Sequence, residues 1–293
     1  MEETLRIFVS IGTAIVVEAM PFLALGALLS AVVEVYVSPA RLARIVPRGT
    51  AARIAFGIGS AFVVPTCECG VVPVARRLLT KGTPLTTTLA YLLTAPILNP
   101  VVLASTLVAF RGSWAMVAAR AGVAVVVAAT VALVVRRWDP ADALRARGAS
   151  GASDDHLHGT APRPVEVLRH AAIDFLDMGK YLIFGAFAAS AVKTFAPPGI
   201  VHGFEGSVVV AIAGMMFLAV ILSVCSEADA FVAASFLTLP AAAHLAFITL
   251  GPMVDLKLLA LFAATFRKRV VLVLVLVPTV LVFLLCLLLA TWL

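Results

Sequence analysis

Charge is scarce in this sequence. Of 293 residues only 13% are Asp, Glu, Lys or Arg, against 62% hydrophobic. Soluble domains carry roughly a quarter charged residues, so an ordinary water-soluble enzyme is excluded. A disordered or nucleic-acid-binding chain is excluded too, despite a formal net charge of +6. Four cysteines, two of them only two apart, do not make a secreted disulfide framework. There is no nucleotide-binding glycine loop, no His-Glu metalloprotease motif and no serine-nucleophile elbow. No enzyme, no cofactor and no self-contained ATP-driven pump is expected.

Long apolar runs are abundant. Val117–Val135 and Val270–Leu293 are long enough to cross a hydrocarbon core of about 30 Å. The chain begins Met1-Glu2-Glu3-Thr4, acidic where a signal peptide is basic, and stays apolar to about Tyr36. That stretch reads as a first transmembrane helix with a kink at Pro21. Trp114, Trp138 and Trp292 fall near expected span ends, as an aromatic belt would place them. The expected class is an all-α polytopic membrane protein in a lipid bilayer.

The chain also resembles itself. Residues 18–26 lie over 177–185 at an offset of 159, which pairs Pro39 with Pro198 and Glu68 with Glu227. After a three-residue deletion the offset becomes 156, pairing Pro84 with Pro240, Pro96 with Pro252 and Asn99 with Asp255. The ordered set reads as an internal duplication: residues 1–136 form one repeat, 137–169 a flexible cytoplasmic linker, and 170–293 the second repeat. Each repeat reads as one long helix, two short apolar segments, and two more long helices. The short segments are about Arg53–Val64 with Glu68–Thr80, and Ser207–Ser223 with Ala228–Leu239. A dozen helical residues reach only about 18 Å, so each pair is either one broken span or a re-entrant hairpin.

Positive charge favours hairpins. With re-entrant pairs and the amino terminus outside, sixteen Lys and Arg residues fall inside, against Arg6, Arg111 and Lys193 outside. Full spans would leave nine against ten. Three spans per repeat is odd, so the second repeat is inverted, and the tips at Cys67–Gly70 and Cys225–Asp229 approach each other near the midplane.

Those tips hold the reactive side chains. Pro65, Gly70 and Pro73 are expected to break the helix around Cys67-Glu68-Cys69. In an extended turn Cys67 and Cys69 would point the same way. With Cys225 they could bind a soft metal or metalloid ion, or they are small packing residues, as Cys286 is expected to be. Glu68, Glu227 and Asp229 inside an apolar slab suit proton coupling or helix capping. Asn99 and Asp255 follow the breaking residues Pro96 and Pro252, within reach of a solute or a neighbouring hairpin. Glu18 and Asp177 read as structural pairing groups, the latter with Lys180. Asp255 and Lys257, two apart, would not face each other on a helix. His156 and His158 belong to the linker. His244 reads as a pore or pairing residue.

Residues 65–75 (PTCECGVVPVA), 223–236 (SVCSEADAFVAASF) and 251–257 (GPMVDLK) resemble the predicted bacterial permeases of the UPF0718 (DUF318) family, which includes ArsP-type organoarsenical efflux permeases. The likeness covers nearly the whole chain except the central loop. It implies a bacterial cytoplasmic (inner) membrane location, and export of trivalent methylated arsenicals with Cys67, Cys69 and Cys225 as the thiols involved. It also implies assembly with a second membrane subunit; a homo-oligomer is the other form of assembly. The chain departs from the commoner Cys-Ser-Cys pattern by placing Glu68 between the thiols, which favours handling of cations or protons.

The leading expectation is therefore a proton-coupled secondary permease for a small solute, best a soft metalloid or metal ion. Three other readings stay open: an anion carrier using hairpin helix ends, a membrane thiol oxidoreductase, and a non-transporting permease subunit.

Overall fold

Proline and glycine punctuate the apolar runs, and the chain folds between them as helices. The computed structural model describes residues 2–36, 44–64, 66–145, 163–195 and 207–292. Among these lie thirteen helices and no strand, with one isolated β-bridge between Leu144 and Phe266. In the first half they are α1 (Glu2–Tyr36), α2 (Thr50–Val63), α3 (Glu68–Thr80), α4 (Leu85–Thr94), α5 (Pro100–Ala109), α6 (Trp114–Val134) and the single turn α7 (Pro140–Ala143). In the second they are α8 (Arg163–Phe195), α9 (Val208–Leu222), α10 (Asp229–Ala234), α11 (Ala241–Leu250), α12 (Leu256–Thr265) and α13 (Lys268–Leu289).

Helices α1, α6 and α13 are long and apolar enough to cross a membrane. Helix α8 has 33 residues, but Asp174, Asp177 and Lys180 interrupt its apolar run. Trp114 and Trp292 stand exposed at span ends. The offsets of the internal resemblance carry helix onto helix. Shifted by 156, α4 and α5 give the bounds of α11 and α12. Shifted by 159, α1 and α2 fall on α8 and α9 within two residues.

Helices α4 and α11 form the centre, α4 buried along its whole length. Helix α2 packs on α4 and α9 on α11, while α6 and α13 meet each other. Helix α1 lies along α8 and against α3, and α8 also packs on α12. Small residues permit these approaches: a Cβ on Gly26 would overlap the Gly70 backbone, and one on Gly185 would stand 2.8 Å from Lys257 Cα.

Several expectations are corrected here. The first of the two long helices expected after the short segments of each repeat is instead split into two ten-residue pieces, α4 with α5 and α11 with α12. Proline at 96 and 252 frees backbone groups, and Asn99 and Asp255 restart the next helix. Gly70 and Pro73 do not break the chain but lie inside α3. Gly70 there admits Gly26, and the Pro73 carbonyl accepts Ser30 Oγ at 3.3 Å. Pro21 lies inside the continuous α1.

The ends of the expected flexible linker are also ordered. Arg145 N–H donates to Thr265 O at 3.0 Å, Arg267 N–H donates to Ala143 O at 2.9 Å, and residues 163–169 belong to α8. Pro65, Pro39, Pro198, His156, His158 and the middle of the linker lie outside the described residues.

Candidate transport site

The two motifs meet. Cys67 is the N-cap of α3 with extended backbone, and Glu68 is the first helical residue. Cys69 therefore sits in the first helical turn and not in an extended segment, so the expected common direction of Cys67 and Cys69 does not follow from alternation. The second motif is a turn in which the N–H groups of Ala228 and Asp229 donate to Cys225 O at 2.9 and 3.0 Å. It enters from Ser223, whose φ of 47° is left-handed, and it leads into α10.

Across the junction Ser226 Oγ donates to Glu68 Oε2 at 3.0 Å. Cys225 Sγ donates to Glu227 Oε2 at 2.7 Å, and Ser226 Oγ stands 3.4 Å from the same oxygen. Cys67, Cys69 and Cys225 are free and buried. Among the described residues, no three His, Cys, Asp or Glu side chains are arranged as a metal site.

Two buried ion pairs tie the motifs to opposite halves of the chain. Glu68 Oε1 faces Lys257 Nζ at 3.4 Å, and Lys257 also faces Asp255 Oδ2 at 3.5 Å. Asp229 Oδ2 accepts from Arg120 at 2.6 Å, and Arg120 donates to Thr106 Oγ1 at 2.6 Å. All four charged partners are almost fully buried. A lone charge is expensive in such a place, so mutual pairing is what makes each one tolerable.

Asp255 and Lys257 do face each other, against the sequence expectation. Asp255 is an N-cap with extended backbone, accepting from Leu258 N–H at 2.6 Å, so helical spacing does not govern the pair. Asn99 caps α5 in the equivalent way, accepting from Val101 N–H at 3.0 Å. Pro96 and Pro252 lie in the turns just before these caps.

Away from the junction, Asp177 pairs with Lys180 at 3.0 Å, as expected, and also with Arg76 at 3.4 Å. Asp174 takes Arg77 through both oxygens. Glu18 is exposed and has no ion pair among the described residues, which corrects its reading as a pairing group. His244 bonds Phe236 O at 2.9 Å and packs near Phe110, a structural role. Cys286 is core packing in α13.

Sequence reasoning passed over Arg120. A lone arginine in the apolar run 114–134 is the signal that would have found it, since a charge inside a span needs a partner.

Helices long enough to cross a membrane, packed around a junction of buried ion pairs, are the features of a helical membrane protein. The chain belongs to the predicted permease family ArsP_1, whose model matches residues 4–291. It is 39% identical over 267 residues to the UPF0718 protein YcgR of Bacillus subtilis (strain 168), covering 91% of each chain. It is 37% identical over 287 residues to a Streptococcus mutans protein (serotype c, strain ATCC 700610 / UA159), covering 97% of this chain and 94% of that one. The provisional name of that protein is two-component membrane permease complex subunit. No solved structure matches.

Proposed function

We propose that the chain is a secondary permease whose solute passes through the junction of the two motifs. The observation that carries this reading is the Ser226–Glu68 contact, which sets the motif that holds Cys67 and Cys69 against the motif that holds Cys225. Thiols and carboxylates in one buried place suit a soft metalloid or metal species, best a trivalent methylated arsenical, exchanged for protons. Glu68, Glu227, Asp229 and Asp255 outnumber the two cations Lys257 and Arg120. That balance supports a cationic or neutral solute over an anion. The matching helix bounds support two repeats, and positive charge supports their inverted, re-entrant arrangement with residues 137–169 cytoplasmic.

The test is uptake of trivalent methylarsenical by energised everted vesicles, wild type against Cys67→Ser. Accumulation that the substitution abolishes is the expected result. A well-expressed wild type that accumulates none overturns the arsenical assignment. The name of the Streptococcus relative favours one further reading, that this chain works with a second membrane subunit. Co-purification of one stoichiometric membrane protein with the tagged chain from its native membrane would bear it out.

A further inference from the structure

The reading above counts Arg120 only for its charge, yet among the described residues it leads the fully buried side chains by volume. It stands on α6, a 21-residue span capped by Ser113. It reaches Thr106 on α5 and Asp229 at the start of α10. Arg120 Nε and Asp229 Oδ1 are buried without hydrogen-bond partners, so the contact to Asp229 is made through one oxygen only.

Both motifs carry a buried ion pair, but they differ in the packing that supports it. The first sits on α3, thirteen residues long, nine of them buried, pressed under Gly26 of α1. The second leads into α10, six residues long. A helix that short cannot hold its own position, and α10 is exposed at Phe231. At the place where the first motif has Gly70, the offset of 159 puts Asp229. The first motif has packing along a long helix besides its ion pair to Lys257; the second has a short helix and its ion pair to a rigid span. Because Asp229 N–H bonds Cys225 O, fixing the Asp229 side chain fixes the thiol as well.

We propose that Arg120 is a positioning residue of the transport site, holding the second motif and its Cys225 against the first half of the chain through Asp229. The proposal rests on the permease reading for its importance, but its test needs no transport.

In purified full-length protein, maleimide alkylation of each native cysteine is followed by mass spectrometry. Cys286, buried in α13 away from the junction, reports general loosening. Arg120→Met is expected to speed Cys225 alkylation on the order of tenfold through local opening, with Cys286 unchanged and Arg120→Lys restoring most of the protection. Equal acceleration at Cys225 and Cys286 would mean that Arg120 merely supports the fold, and no acceleration would mean that it positions nothing; either result overturns the proposal.

If Arg120→Met does not fold, Thr106→Val removes one anchor and leaves the ion pair. It is expected to speed Cys225 several-fold with Cys286 flat, and an unchanged rate sinks the idea. A wild type that moves no methylarsenical while passing this test refutes the arsenical assignment alone.

Discussion

Removing Lys257 should cost far more than removing its partner Glu68. The Lys257 ammonium lies between Glu68 at 3.4 Å and Asp255 at 3.5 Å, with its side chain 3% exposed. At an effective dielectric near 20, each attraction is about 5 kcal/mol before desolvation is counted. Lys257→Met leaves two carboxylates without their cation, and breaking a buried pair in that way costs about 3–5 kcal/mol. Glu68→Gln leaves Lys257 paired with Asp255, and the new amide can still accept from Ser226 Oγ. Its cost should be about 1–3 kcal/mol. The double variant should be more stable than Lys257→Met alone, because one of the two stranded charges is gone. Unfolding by SDS titration in mixed micelles measures all three, and a double-mutant cycle isolates the coupling. Equal single costs, or a double variant whose costs simply add, would refute the pairing argument.

Gly26→Val should push α1 off α3, because its Cβ would meet the Gly70 backbone rather than a side chain that can turn away. A loss of about 1–3 kcal/mol or more is expected in the same titration. Asn99→Ala and Asp255→Ala remove equivalent caps, and loss of a cap costs about 1 kcal/mol. Asp255→Ala should cost clearly more, since it also takes a partner from Lys257. Equal losses would show that the ion pair adds nothing.

Much of this fold was legible because a membrane leaves the chain few choices. Backbone groups in lipid must be bonded within a helix, so helix ends follow proline and the caps, and the short segments ended close to where α2, α3 and α9 end. The split at residues 95–99 was half visible. Pro96 and Pro252 mark breaks in the sequence, yet the apolar runs around them still predict long helices. Pro73 misled in the opposite direction. It stands inside α3, where it removes the single bond its N–H would have given to Cys69 O and bends a helix rather than ending it. The side chains gathered at the junction were legible one by one. Their pairing was not, because Glu68 with Lys257 and Arg120 with Asp229 are separated by more than a hundred residues.

Glu227 is where stability and function should separate. It occupies the place of Glu68 in the second motif, but no cation pairs with it among the described residues. Its neighbours are the Cys225 thiol and the Ser226 hydroxyl, and the position of Lys257 corresponds in the first half to the exposed Val101. Glu227→Gln therefore strands no partner charge, and the amide oxygen can still accept from Cys225. Its stability should stay within about 0.5–1 kcal/mol of wild type, as for a substitution that breaks no buried pair. Under the proposed permease mechanism it removes the one junction carboxylate free to exchange a cation or proton without breaking an ion pair. Proton-driven accumulation of methylarsenical should fall at least about tenfold, roughly 1.4 kcal/mol in barrier, while SDS unfolding barely moves. If unfolding shifts as far as it does for Lys257→Met, Glu227 has a buried cationic partner. If both transport and unfolding stay at wild-type values, the proton-exchanging group is not Glu227, and Glu68 with its double pairing becomes the group that must open for the solute to pass.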